Sequence, residues 1–152
     1  MQQEYNVMIT SIPPMQQLST FFDEYAKALE NYDTKAMAYL YNIPCTMLSD
    51  DATTLFNDAG RLEGFFNQGV SFYRQFGIAH VRTEVWSRRE WTDKIINVKV
   101  NWQYFDHHKK PIYNCDYHYV LKLNKLNQWK IVLSTSVNEK ERMEEWQALV
   151  KG

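Results

Sequence analysis

The chain reads as an α+β domain, with helices in its first half and a curled antiparallel sheet in its second. Three observations predict this. Apolar residues recur at helical spacing as far as Gly77 and at a spacing of two beyond it. The alternating stretches after Gly77 are joined by short polar turns, which makes sequential strands antiparallel neighbours. At 152 residues, with 45% hydrophobic and 23% charged side chains, the chain has the composition of a globular domain and not of a disordered one.

Taken in order, Ser11-Ile12-Pro13-Pro14 is a helix start, because proline suits the first helical turn. Leu18, Phe21, Phe22, Tyr25, Leu29 and Tyr32 then form one apolar stripe. Asp33 caps a short second helix over 34–41, which Pro44 cannot continue. Residues 44–49 read as a strand, followed by a turn at Asp50-Asp51 and a brief extended piece at 53–55. Asn57 or Asp58 caps a third helix, whose stripe runs through Leu62, Phe65, Phe66, Val70, Tyr73 and Phe76 to a stop at Gly77. Four strands follow at about 78–90, 94–105, 112–123 and 129–137. Asn138 caps a last helix over 139–150, with Met143, Trp146 and Val150 on one side. No repeat or Gly/Ser/Pro linker divides the chain, so residues 1–152 are read as one domain, with its core at about 15–137 and the C-terminal helix at about 139–150.

Charge and cysteine usage exclude several function classes. Seventeen basic residues against eighteen acidic ones give a net charge of −1, so neither nucleic acid nor an anionic membrane is an expected partner. The first residues lack a basic leader region and no run reaches transmembrane length, which makes a cytoplasmic protein the expectation. Cys45 and Cys115 have no second Cys or His at metal-finger spacing and are read as reduced, buried thiols. His107-His108 lies in a hairpin turn with no third ligand in view, so no metal is expected. His80 is read as structural, and no cofactor is expected, since no Gly-rich phosphate loop, nucleophile elbow or metalloprotease motif occurs.

Local echoes occur in the helix segment Phe22-Asp23-Glu24-Tyr25-Ala26-Lys27-Ala28-Leu29 leading to Asp33, in Tyr41-Asn42-Ile43-Pro44, and in Trp129-Lys130-Ile131. With the order of elements, they make residues 15–137 resemble the nuclear transport factor 2-like superfamily. The resemblance implies a cystatin-like cone, in which a strongly curved antiparallel sheet wraps the N-terminal helices. It also implies a homodimer paired through the sheet. The superfamily includes ketosteroid isomerases, polyketide cyclases, scytalone dehydratase, epoxide hydrolases and proteins without catalysis, so shape does not select an activity. The Asp-Arg-Asp pattern of its epoxide hydrolases is incomplete here.

Strand registers follow from turn lengths. A symmetric turn over 106–111 sets Trp102 opposite Cys115, Val100 opposite Tyr117 and Val98 opposite Tyr119, with Asn101 opposite Asp116 and Lys99 opposite His118 on the other face. Extension to the flanking strands gives one polar row of Glu84, Asn101, Asp116 and Ser136, and a second of Trp86, Lys99, His118 and Ser134. The apolar face includes Val81, Val85, Tyr113, Tyr117, Tyr119, Leu121, Ile131 and Leu133, while Arg82, Arg88, Lys122 and Lys130 join the polar one.

Asp116 and His118 share a face of one strand. A carboxylate beside an imidazole, with Asn101 and Ser136 as hydrogen-bond partners and Trp86 flanking this polar centre, is material for general acid–base catalysis. The plainer reading of that face is a surface meeting solvent or a second subunit. The aromatic face is the other candidate pocket wall, with the hydroxyls of Tyr117 and Tyr119 as its polar handles. The expected function is binding of a small, largely apolar molecule between helices and sheet. The alternatives are an isomerase, cyclase or dehydratase using His118 and Asp116, and a protein-interaction module.

Overall fold

The structure is a computed structural model and describes residues 15–151. The helix-start signal at 11–14 lies outside them. Helix α1 spans Met15–Glu30, α2 Thr34–Tyr39, β1 Tyr41–Leu48, β2 Thr53–Phe56, α3 Ala59–Gln75, β3 His80–Thr92, β4 Ile95–Phe105, β5 Pro111–Leu123, β6 Trp129–Ser136 and α4 Glu139–Lys151.

The caps act as the sequence requires. Asp33 Oδ1 accepts from the Ala36 N–H at 3.1 Å, and Asp58 Oδ1 from the Arg61 N–H at 3.1 Å. At the end of α3 the Ile78 N–H reaches the Tyr73 carbonyl and the Gly77 N–H that of Arg74, with Gly77 at φ 75°. That double bond is a Schellman motif, and its left-handed residue is the glycine that ended the periodicity. The second helix ends at Tyr39, two residues earlier than its pattern suggested, because Tyr41 already pairs with Ile131 of β6.

All six strands belong to one sheet in the order β2-β1-β6-β5-β4-β3. Strands β3 to β6 are the antiparallel meander; β1 joins its β6 edge in parallel, and β2 pairs antiparallel with β1. The sheet therefore curls around α1 and α3 as an α+β cone. Phe22 meets Tyr119, Tyr25 meets Trp102, and Tyr73 stacks on Tyr104, so the helices cover the aromatic face. Leu18, Phe22, Leu62, Ile96, Val98, Val100 and Leu121 are sealed from solvent there. Helix α4 buries none of its residues and lies against β5, with Trp146 touching Phe76.

The register of β4 on β5 follows the turn-length argument at every stated pair. The extension to β6 fails by one residue. A bulge between Val120 and Leu121 leaves Val132 unpaired, so Tyr119 lies opposite Ser134 and Tyr117 opposite Ser136. Ser134 and Ser136 thus belong to the aromatic face, and Leu133, opposite Val120, belongs to the other. A second irregularity, between Val85 and Ser87, pairs Ser87 with Lys99 and Arg88 with Val98. Arg88 therefore moves off the polar face on which simple alternation placed it.

Candidate ligand cavity and its tyrosine cluster

A cavity of about 350 Å³ lies between helices and sheet. Leu29 of α1, Phe66 of α3 and Trp102 and Tyr119 of the sheet contribute to its walls. Ser49, Ala52, Phe65 and Gly69 line it yet are exposed, so it opens between the β1–β2 hairpin and α3. The apolar side chains are there because alternation in β4 and β5 and the helical stripes aim them inward.

The polar tips inside this wall are paired. The Tyr25 and Tyr41 hydroxyls are 2.6 Å apart, and the Trp102 indole N–H donates to the Tyr119 hydroxyl at 2.9 Å. Ser134 Oγ donates to Met47 Sδ at 2.8 Å. Burial pushes the phenols of Tyr25, Tyr41, Tyr104 and Tyr119 above the ordinary tyrosine range and keeps them neutral. Burial likewise raises the Cys45 thiol to about 11 and the Cys115 thiol further, with the Glu139 carboxylate adding to the latter. Both thiols are buried and neither is in a disulfide.

Three tyrosines converge on Glu139, a cavity-lining residue and the first of α4. Glu139 Oε2 accepts from the hydroxyls of Tyr73 at 2.7 Å and Tyr113 at 2.8 Å, and Oε1 accepts from that of Tyr117. Burial, then the nearby Glu139 charge, holds all three phenols well above their usual range. The Glu139 N–H in turn donates to Ser136 Oγ at 3.3 Å. The cluster thus joins α3, β5, β6 and α4.

The sequence candidates divide between the two faces of the sheet. Tyr117 and Tyr119 line the cavity. Asp116, His118, Asn101 and Trp86 lie on the opposite face and do not. Asp116 and His118 bond to different partners: Asp116 Oδ1 accepts from Asn101 Nδ2 at 2.9 Å, and His118 Nδ1 lies 3.1 Å from Asn97 Oδ1. Asn101 is buried and also accepts from Gln103 at 3.0 Å. Trp86, half exposed, donates to Glu84 at 3.2 Å and lies beside Lys99. Sequence reasoning missed Glu139, the hydroxyls of Tyr73 and Tyr113, and the inward facing of Ser134 and Ser136. Tyr113 and Tyr117, four apart on one strand, were a usable signal; Glu139 offered none.

Among the described residues no three His, Cys, Asp or Glu side chains are placed to hold a metal ion, and no helix is long and apolar enough to cross a membrane.

The sequence profile of the family described as "NTF2-like protein (DUF6841)" matches residues 16–139. No curated protein sequence matches the chain. Among solved structures, a domain of unknown function with a cystatin-like fold from Nostoc punctiforme superposes with a TM-score of 0.66 at 12% identity, covering 89% of this chain and 84% of its own. A putative calcium/calmodulin dependent protein kinase II association domain from Xanthomonas campestris gives 0.59 at 14% identity, covering 84% and 91%. A ketosteroid isomerase-like protein from Erwinia carotovora gives 0.58 at 10% identity, covering 81% and 95%. At such identities the likeness is one of fold.

Proposed function

The chain belongs to the NTF2-like protein family DUF6841, and from that premise we propose that it binds a small, largely apolar molecule in the cone between its helices and sheet. One observation carries the reading: the cone is not filled, but encloses about 350 Å³ behind an aromatic wall with few polar groups. Ligand sites have this size and character, with sparse polar atoms that fix orientation. A protein-interaction module would instead have been expected to pack its cone solid. The proposal is of binding. The Asp116–His118 pair forms no part of it, because it faces away from the cavity.

A thermal-shift screen of steroids, terpenoids, polyketides and fatty acids tests the proposal, followed by calorimetry on the hits. A ligand held at a hundred times its Kd stabilises the fold by about 2.7 kcal/mol, several degrees in Tm. The control is Gly69→Phe. A Cβ at Gly69 meets nothing within 4 Å, and the position lines the cavity mouth on α3. The ring should obstruct the cavity while the helix tolerates the change. The expected result is a hit that binds the native protein and loses about tenfold or more in affinity for the folded variant. Hits that bind both equally would place binding elsewhere and end the reading.

A further inference from the structure

Among the described residues lining the cavity, Glu139 is the one carboxylate, and none is Lys, Arg or His. The carboxylate is half-buried, and the donors described on it are neutral: the phenols of Tyr73 and Tyr113 on Oε2 and of Tyr117 on Oε1, with the Cys115 thiol beside them. A carboxylate oxygen has two acceptor positions. Oε2 is therefore filled by its two hydroxyls; Oε1 takes one, and the Cys115 thiol beside the carboxylate is a weak donor that a charged N–H displaces. The three hydroxyls are committed as donors to Glu139 and are not free to donate to an anionic ligand. The rings of Tyr25, Tyr41, Tyr104, Tyr119 and Trp102 line the same cavity, and aromatic rings are favourable neighbours for a cation. A ligand carboxylate would meet Glu139 as a like charge in a partly desolvated space, where repulsion is poorly screened.

Resting on the cavity reading above, we propose that the ligand is an organic cation: an ammonium group carried on a largely apolar, ring-sized body, donating an N–H to Glu139 Oε1 within the aromatic wall. The tyrosine cluster then has two tasks. It holds the carboxylate in place in the cavity wall, and it leaves to the cation the acceptor position that no phenol fills.

The test compares three probes of one shape by calorimetry: tryptamine, tryptophol and indoleacetate. They present a cation, a neutral hydroxyl donor and an anion on the same indole body. On the native protein tryptamine should bind about tenfold tighter than tryptophol, with indoleacetate weakest. Glu139→Gln keeps the shape of the acceptor and removes its charge, and there the preference for tryptamine over tryptophol should shrink to about threefold or less. Gly69→Phe should weaken all three. If tryptophol or indoleacetate equals tryptamine on the native protein, the proposal is overturned, and this ranking decides the matter even should Glu139→Gln fail to fold. An undiminished tryptamine preference in folded Glu139→Gln would overturn it too. If the library gives cavity ligands but none of the three probes binds, the cation reading falls and the cavity reading stands. If nothing binds, both fall.

Discussion

Asp116 holds the beginning of α4 from the far side of the sheet. Its N–H donates to Asn138 Oδ1 at 2.8 Å, its carbonyl accepts from the Val137 N–H at 2.9 Å, and its Oδ2 accepts from Asn138 Nδ2 at 3.3 Å. The residue after Asn138 is Glu139, so Asp116 positions the cavity carboxylate without touching the cavity. Both Asp116 oxygens receive amide donors, and Asp116→Asn would turn one acceptor into a donor facing another donor. That substitution should cost about 1–2 kcal/mol and speed amide exchange over residues 139–151. His118→Ala, on the same strand face but with its ring bonded to Asn97, should change stability by about 0.5 kcal/mol or less and leave ligand affinity unchanged. Equal effects from the two substitutions would contradict this division. The inward aim of Tyr117 and Tyr119 could be read from the sequence because alternation carries through the short β4–β5 turn without a slip. Glu139 could not, since its meeting with Tyr73, sixty-six residues away, depends on where the chain turns after β6.

Helices α1 and α3 end in the same motif with different residues at the left-handed position. At the end of α3 it is Gly77; after α1 it is Tyr32, at φ 56°, with the Asp33 N–H reaching the Ala28 carbonyl and the Tyr32 N–H that of Leu29. A side chain in this conformation costs about 1–2 kcal/mol. Tyr32 offsets that cost by donating its hydroxyl to the Ile78 carbonyl at 2.9 Å and by receiving the Arg74 guanidinium 4.3 Å above its ring. A methyl at Gly77 would find nothing within 4 Å to compensate it. Gly77→Ala should therefore lower unfolding stability by about 1 kcal/mol in a urea titration with an unchanged slope; no loss would mean the chain can relax out of the motif. Helix ends of this kind are local and were legible at Asp33, Asp58 and Gly77. The parallel pairing of β1 with β6 was not, because partners such as Met47 and Ser134 are brought together by the closing of the whole sheet. Nothing in the short run before Ser49 specifies its neighbour.

Among the described residues, seven tyrosines have phenols that burial raises above the ordinary value: Tyr25, Tyr41, Tyr73, Tyr104, Tyr113, Tyr117 and Tyr119. In the folded state these groups keep their protons at pH values where the unfolded chain has lost them. Their contribution to stability is thus complete below the unfolded tyrosine pKa of about 10 and is lost as pH rises beyond it. Near-UV circular dichroism should therefore vanish above about pH 10 in step with the appearance of phenolate absorbance. Ionisation of these tyrosines in a molecule that keeps its near-UV signal would contradict their burial. The unpaired Val132 in β6 has a different kind of consequence. Deleting it would restore a regular ladder while Leu133 stayed opposite Val120, Ser134 opposite Tyr119 and Ser136 opposite Tyr117. What would go is the local bend and added twist that a bulge gives its strand. Curvature and wall composition are separately adjustable at this position: one deletion removes a bend of β6 without exchanging a single residue that faces the cavity.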